Sequence, residues 1–129
     1  MKTNEITDII IQCAIKVHKV LGPGLLESVY HECLYYELMK TGLIVEKEKG
    51  IPIIYDEIKL GCGFRADIIV ENRVIIELKS VEAIHSIFVA QILTYLKLTN
   101  YHVGILINFN VLKLTDGLKR VVNNYDDEN

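Results

Sequence analysis

The sequence predicts an α/β fold: a mixed central sheet flanked by helices, with one extra helix ahead of the core. Three observations predict it. Apolar residues recur at helical spacing over residues 5–21, 25–40 and about 83–98. A β-hairpin signature runs from Phe64 to Ser80, where two runs rich in β-branched residues flank a short polar turn. A strongly apolar run from Tyr101 to Asn108 follows the third helix, and a strand–helix–strand unit joins parallel neighbours by a right-handed crossover.

In chain order, the first helix spans about Glu5 to Leu21, with a stripe of Ile6, Ile10, Cys13, Val17 and Leu21. Glu5 and Asp8 in its first turn and His18 and Lys19 in its last suit the helix dipole. His18, beside the stripe, reads as a cap or packing residue ahead of a catalyst. Gly22-Pro23-Gly24 breaks the chain. The second helix runs from Leu25 to Lys40, with Leu26, Val29, Tyr30, Cys33 and Leu34 as its stripe and Gly42 as its stop. A step of about 100° per residue places Glu27 at the margin of that stripe. Glu37 falls nearer the middle, where a carboxylate needs an ion-pair partner.

Leu43 to Lys49 reads as a strand, and Ile51 to Tyr55 either continues it or pairs as an edge strand, for which Pro52 argues. Asp56 to Gly63 reads as a turn region. The third helix starts at Val81 or Ala83 and ends near Leu98, burying Ile84, Phe88, Ile92, Tyr95 and Leu96. Gln91 falls inside that apolar sector, either as a satisfied core amide or as a polar group aimed at the hairpin. Val111 to Leu114 and Lys119 to Val122 read as short closing edge strands.

The hairpin carries the chemistry. With Glu71, Asn72 and Arg73 as the loop, Val70 faces Val74 and Asp67 lies directly across from Glu77. Opposed Cβ atoms are roughly 4.5–5.5 Å apart. Two carboxylates that close, in apolar strands, require a proton on one of them or a cation between them. Hard oxygen ligands at this spacing suit Mg²⁺ or Mn²⁺. Lys79 shares the face of Glu77. The plainer reading is a charge-balanced salt-bridge face, since the same register sets Arg65 across from Lys79. A two-residue turn instead slips Asp67 off Glu77.

Composition bounds the rest. A chain of 129 residues suffices for one domain with a proper core, and only the tail at 126–129 reads as disordered. The net charge of −3 supplies no global basic field for nucleic acid, so such contacts must be local. No leader-like segment opens the sequence and no apolar run is long enough to span a bilayer. Three cysteines, Cys13, Cys33 and Cys62, show no metal-type pairing and fit a reducing cytoplasm. With Cys13 and Cys33 on apolar faces, Cys62 in a glycine turn and no evident Ser–His pair, a thiol or serine hydrolase is set aside.

The ordered set of an acid in a helix, Asp67 on one hairpin strand and Glu77-Leu78-Lys79 on the next resembles the PD-(D/E)xK nuclease superfamily, with its restriction-endonuclease-like αβββαβ core. More closely, Gly24-Leu25-Leu26-Glu27-Ser28-Val29-Tyr30 resembles the signature that names the GxxExxY family. Companion features are His18 before Leu21-Gly22-Pro23-Gly24, then Phe64-Arg65-Ala66-Asp67, Gln91 to Leu96, and Ile107-Asn108-Phe109. Ala66 stands where the superfamily's name has proline.

The resemblance implies a metal-dependent nuclease acting on DNA. Asp67 and Glu77 would be the metal-binding carboxylates, with the Leu78 carbonyl as a further ligand and Glu27 completing the acidic site. Lys79 would activate the attacking water or stabilise charge on the phosphate. Gln91 and Tyr95 match a Gln-x-x-x-Tyr element of exonuclease-like members. Phosphate contacts would come from among Lys47, Lys49, Arg65, Lys97, Lys119 and Arg120. Nucleases of this fold often act as dimers, so the resemblance admits a homodimer. The alternative is a non-catalytic nucleic-acid-binding or assembly module on the same fold, which the acidic net charge favours.

Overall fold

A computed structural model describes residues 1–125; the tail at 126–129 lies outside the described residues. Helix α1 spans Thr3–Leu21 and α2 spans Glu27–Met39. Strands β1 (Val45–Tyr55), β2 (Ile58–Val70) and β3 (Val74–Lys79) follow, then α3 (Ser86–Thr99), β4 (Val103–Asn108), a 3₁₀ turn at Leu114–Gly117 and β5 (Leu118–Val122). The strands form one mixed sheet in the order β1-β2-β3-β4-β5. Only β3 and β4 run parallel, joined through α3 as expected.

Helices α1 and α2 cover one face. Their inward residues, among them Ile6, Ile10, Tyr30 and Leu34, meet Ile68, Ile76 and Ile107 of the sheet. Helix α3 covers the other face, where Ile92 and Leu96 pack on Ile69, Ile75 and Leu106. Both faces of β3 and β4 are covered, which is why these strands read as unbroken apolar runs. His18 is a packing residue: it is buried, its ring lies against Phe109, and its Nε2 bonds the Val111 carbonyl at 2.8 Å. Glu37 has the expected ion pairs, with Lys16 at 3.1 Å and Lys40 at 3.2 Å.

The hairpin register is the one expected. Val70 pairs with Val74, Ile69 with Ile75 and Ile68 with Ile76, around a loop in which Glu71 and Asn72 take left-handed backbone angles. Four other expectations are corrected. The buried stripe of α2 is Tyr30, His31, Leu34 and Leu38, whereas Leu26 and Val29 face solvent. The helix is rotated because the Tyr30 ring stacks on Phe109 at 4.5 Å and its hydroxyl donates to the Gly22 carbonyl at 2.6 Å.

Residues 58–63 are strand, not turn, so β1 and β2 form one long antiparallel arm turned at Asp56 and Glu57. The glycines there serve the arm's irregularity: a Cβ on Gly63 would sit 2.0 Å from Ile53 Cδ1. Helix α3 starts at Ser86, not near Val81, because the Asn108 side chain accepts from the Val81 N–H and donates to its carbonyl, holding that residue in a loop. Residues 111–113 are not strand, and the 3₁₀ turn precedes β5.

Gly104 is where α3 comes closest to the sheet; a Cβ there would lie 2.6 Å from Ile92 Cγ2. Gly104→Ala is therefore expected to overpack this contact and cost about 1–3 kcal/mol in urea denaturation. Gly61→Ala, with nothing within 4 Å of the added carbon, should stay within about 0.5 kcal/mol.

Candidate metal and phosphodiester site

The site lies where the sheet forks. Pairing between β2 and β3 stops at Ile68 and Ile76, whereas β2 continues along β1 to the arm's tip and β3 continues along β4 to Lys79. One more step of the same register sets Asp67 opposite Glu77. One step further, where Leu78 would pair with Ala66, the ladder bond is replaced: the Leu78 N–H donates to Asp67 Oδ2 at 2.9 Å. A strand residue's N–H and C=O leave by the same edge, so the Leu78 carbonyl also points toward β2.

Side-chain alternation slips at this point. Phe64 and Ala66 pack on the α3 side, and so does Ile69, whereas Ile68 and Val70 pack on the α1–α2 side. The slip falls on Asp67, and Glu48 opposite it on β1 has φ of 51°. Strict alternation therefore breaks between Arg65 and Ile69. Arg65 pairs with Gly50 and donates to the Glu48 carbonyl. Among the described residues, no ion pair joins Arg65, Asp67, Glu77 and Lys79, so the salt-bridge face is not formed.

Glu77 is buried, and its Oε1 has no hydrogen-bond partner. Its carboxyl is pushed up to about 9, first by burial, then by the neighbouring charge of Asp67 and a side-chain hydrogen bond to it. The Asp67 backbone and the Lys79 ammonium oppose this more weakly. Metal-free, the pair thus holds a proton between its carboxylates. Lys79 Nζ lies 4.5 Å above the Phe88 ring of α3.

Helix α2 brings Glu27 in from the other face. Its carboxyl is raised by partial burial and then by Asp67, and lowered by Lys79 and His31, which locates it among those groups. Glu27, Ser28, His31, Glu32, Glu48 and Asp67 line an open cleft of about 350 Å³. The Gly24-x-x-Glu27-x-x-Tyr30 spacing has a visible purpose. The Tyr30 hydroxyl accepts from the Leu25 N–H at 3.1 Å while donating to Gly22, and Ser80 Oγ donates to the Leu25 carbonyl at 2.7 Å. Gly22 and Gly24 have φ of 71° and 94°, which a glycine adopts without strain. The loop before Glu27 is thereby fastened to the end of β3.

Tyr95 stacks on Phe64 with ring centroids 3.8 Å apart, and its hydroxyl is raised by burial, then by Glu77 and Asp67. Gln91 is exposed, not inside the apolar sector. Its place between Phe88 and Tyr95 at helical spacing puts it on the rim of the site. Sequence reasoning missed His31 and read Phe88 only as a buried residue of the third helix; the one available signal for His31 was that it lies four residues after Glu27 and so shares its helix face.

The basic residues are mostly engaged. Lys47 pairs with Glu32 at 3.3 Å, Lys49 with Glu46 at 3.1 Å, and Arg120 donates to Asn4 of α1. Lys119 lies beside the start of α3. Among the described residues, no group of three or more His, Cys, Asp and Glu side chains has metal-holding geometry, so the two hairpin acids do not form a closed side-chain cage.

A mixed five-stranded sheet, helices on both faces and acids at a fork between neighbouring strands define an α/β restriction-endonuclease-like fold. The sequence model of the PD-(D/E)XK nuclease superfamily matches residues 4–121, and the chain belongs to that superfamily. No curated protein and no solved structure matches the chain. Members are generally nucleases, so membership implies a nucleic-acid substrate and chemistry that typically uses divalent metals. No helix among the described residues is long and apolar enough to cross a membrane.

The raised Glu77 carboxyl has a consequence for stability. Between its ordinary value of 4.5 and about 9 the folded protein holds a proton that the unfolded chain has released. Stability of the metal-free protein should therefore fall as pH rises through that window, with a limiting slope of about 1.4 kcal/mol per pH unit. Thermal unfolding between pH 5 and 9 should show this decline, flattened in Glu77→Gln and by added Mg²⁺ or Mn²⁺. Tyr30→Phe, which removes two hydrogen bonds at the loop, should cost roughly 1–3 kcal/mol in the same assay.

Proposed function

We propose that this chain is a divalent-metal-dependent nuclease hydrolysing phosphodiester bonds of DNA, in repair, recombination or defence. Within the superfamily, the Gly24-x-x-Glu27-x-x-Tyr30 signature supports a place among GxxExxY proteins. The single observation that carries the reading is the buried Glu77 carboxyl, with Oε1 unpartnered, held against Asp67 in a fork of the sheet. A buried polar atom without a partner is costly unless something completes it. Two hard carboxylates with a backbone carbonyl beside them suit Mg²⁺ or Mn²⁺.

Asp67, Glu77 and the Leu78 carbonyl would hold that ion, with Glu27 supporting it from α2. When bound, the ion neutralises phosphate oxygens and makes water a stronger acid. The chain's own residues do the rest. The Asp67–Leu78 bond fixes the carboxylate before substrate arrives. Phe88 holds the Lys79 ammonium beside the acids, where it orients water and stabilises charge on the scissile phosphate. Tyr95, kept protonated, offers a hydroxyl donor from above, and Gln91 meets the substrate at the rim. Residues 1–129 act as one nuclease-like domain in the cytoplasm, as a monomer or a homodimer.

A non-catalytic nucleic-acid-binding or assembly module is favoured by one observation: Lys47 and Lys49 are already paired with glutamates. It predicts DNA binding that survives Asp67→Ala and needs no divalent ion. The nuclease reading predicts cleavage of some DNA substrate with Mg²⁺ or Mn²⁺, lowered roughly 10²-fold or more by Asp67→Ala, Glu77→Gln or Lys79→Ala. Only the first two should also weaken Mn²⁺ binding. If no substrate is cut and Asp67→Ala alters neither metal nor DNA binding, the reading is wrong.

A further inference from the structure

We propose that His31 is a positioning residue: its imidazole pins the Asp67 backbone at the fork, so that the Asp67 carboxylate stays turned toward β3. This rests on the reading of Asp67 as a metal-holding carboxylate. His31 is buried at 8 % exposure, and its Nε2 lies 3.0 Å from the Asp67 carbonyl oxygen. A carbonyl only accepts, so Nε2 is the protonated nitrogen.

Asp67 needs such a tether. It has no partner in either ladder: pairing with β1 passes from Lys47–Ile68 to Lys49–Ala66, and pairing with β3 begins at Ile68–Ile76. Glu48, opposite Asp67, has left-handed backbone angles, and side-chain alternation slips at Asp67 itself. Backbone freed from both neighbours would turn its carbonyl to water. The imidazole holds the carbonyl on the α2 side, while the carboxylate leaves on the β3 side and takes the Leu78 N–H. Because His31 lies one turn after Glu27, the same helix face places one acid and anchors the other. A residue that orients a ligand in this way typically changes metal affinity about 10–100-fold.

The test compares two variants that both fill the space: His31→Gln, which keeps an N–H of similar reach, and His31→Leu, which has none. Mn²⁺ affinity is read by calorimetry, and exchange of the Leu78 amide proton is read by NMR without metal. His31→Leu should weaken Mn²⁺ about tenfold or more and speed Leu78 exchange, leaving Ile76, which sits in the ladder, protected. His31→Gln should restore both. A folded His31→Leu with wild-type affinity and wild-type Leu78 exchange overturns the proposal; should that variant not fold, His31→Ala against His31→Gln decides by the same readings. If the wild type binds no Mn²⁺, the metal reading fails alone, and Leu78 exchange still decides the role of His31.

Discussion

The structure turns on the place where β2 and β3 part company. An uninterrupted ladder would have left Asp67 and Glu77 as two more sheet residues, side by side on the α3 face. Because pairing ends at Ile68 and Ile76, the Leu78 N–H takes a carboxylate oxygen in place of a carbonyl, and the buried Glu77 is left against a second acid. Everything that surrounds the site can be read as managing that crowding. Phe88 holds a cation near it, α2 supplies a further acid and a histidine, and Phe64 fixes the Tyr95 ring above it.

The fork also resolves a topological difficulty. Helices α2 and α3 pack on opposite faces of the sheet, so side chains from the two would normally never meet. A gap between neighbouring strands lets Glu27 and Tyr95 both sense Asp67. Acids are gathered here at the expense of stability, since burial and the charge of Asp67 both disfavour an ionised Glu77.

Much of this was legible in the residues. Val70 and Val74 around Glu71-Asn72-Arg73 set the hairpin register, and period-two and period-3.6 patterns separated strands from helices. What escaped is physical in origin. Gly61-Cys62-Gly63 has the composition of a turn, yet those residues let a long arm bulge around Ile53. The rotation of α2 depends on the Tyr30 hydroxyl finding the Gly22 carbonyl 8 residues back, a bond no hydrophobic stripe encodes. The start of α3 is delayed by Asn108, which is 27 residues downstream of Val81. Gln91 sits in an apolar stretch of sequence but on the uncovered side of its helix, since α3 buries Ile92 and Leu96 most deeply. For His31 the sequence offers only its place one turn after Glu27; that it holds the Asp67 carbonyl shows only where the strand loses its own partners.

The fastening of residues 22–26 couples α2 to the end of β3. Ser80 clasps Leu25 from the end of β3, and Tyr30 clasps both Gly22 and Leu25 from within α2. The helix-borne acid is thus linked through Leu25 to the strand that carries Glu77 and Lys79, so a displacement of either is passed to the other.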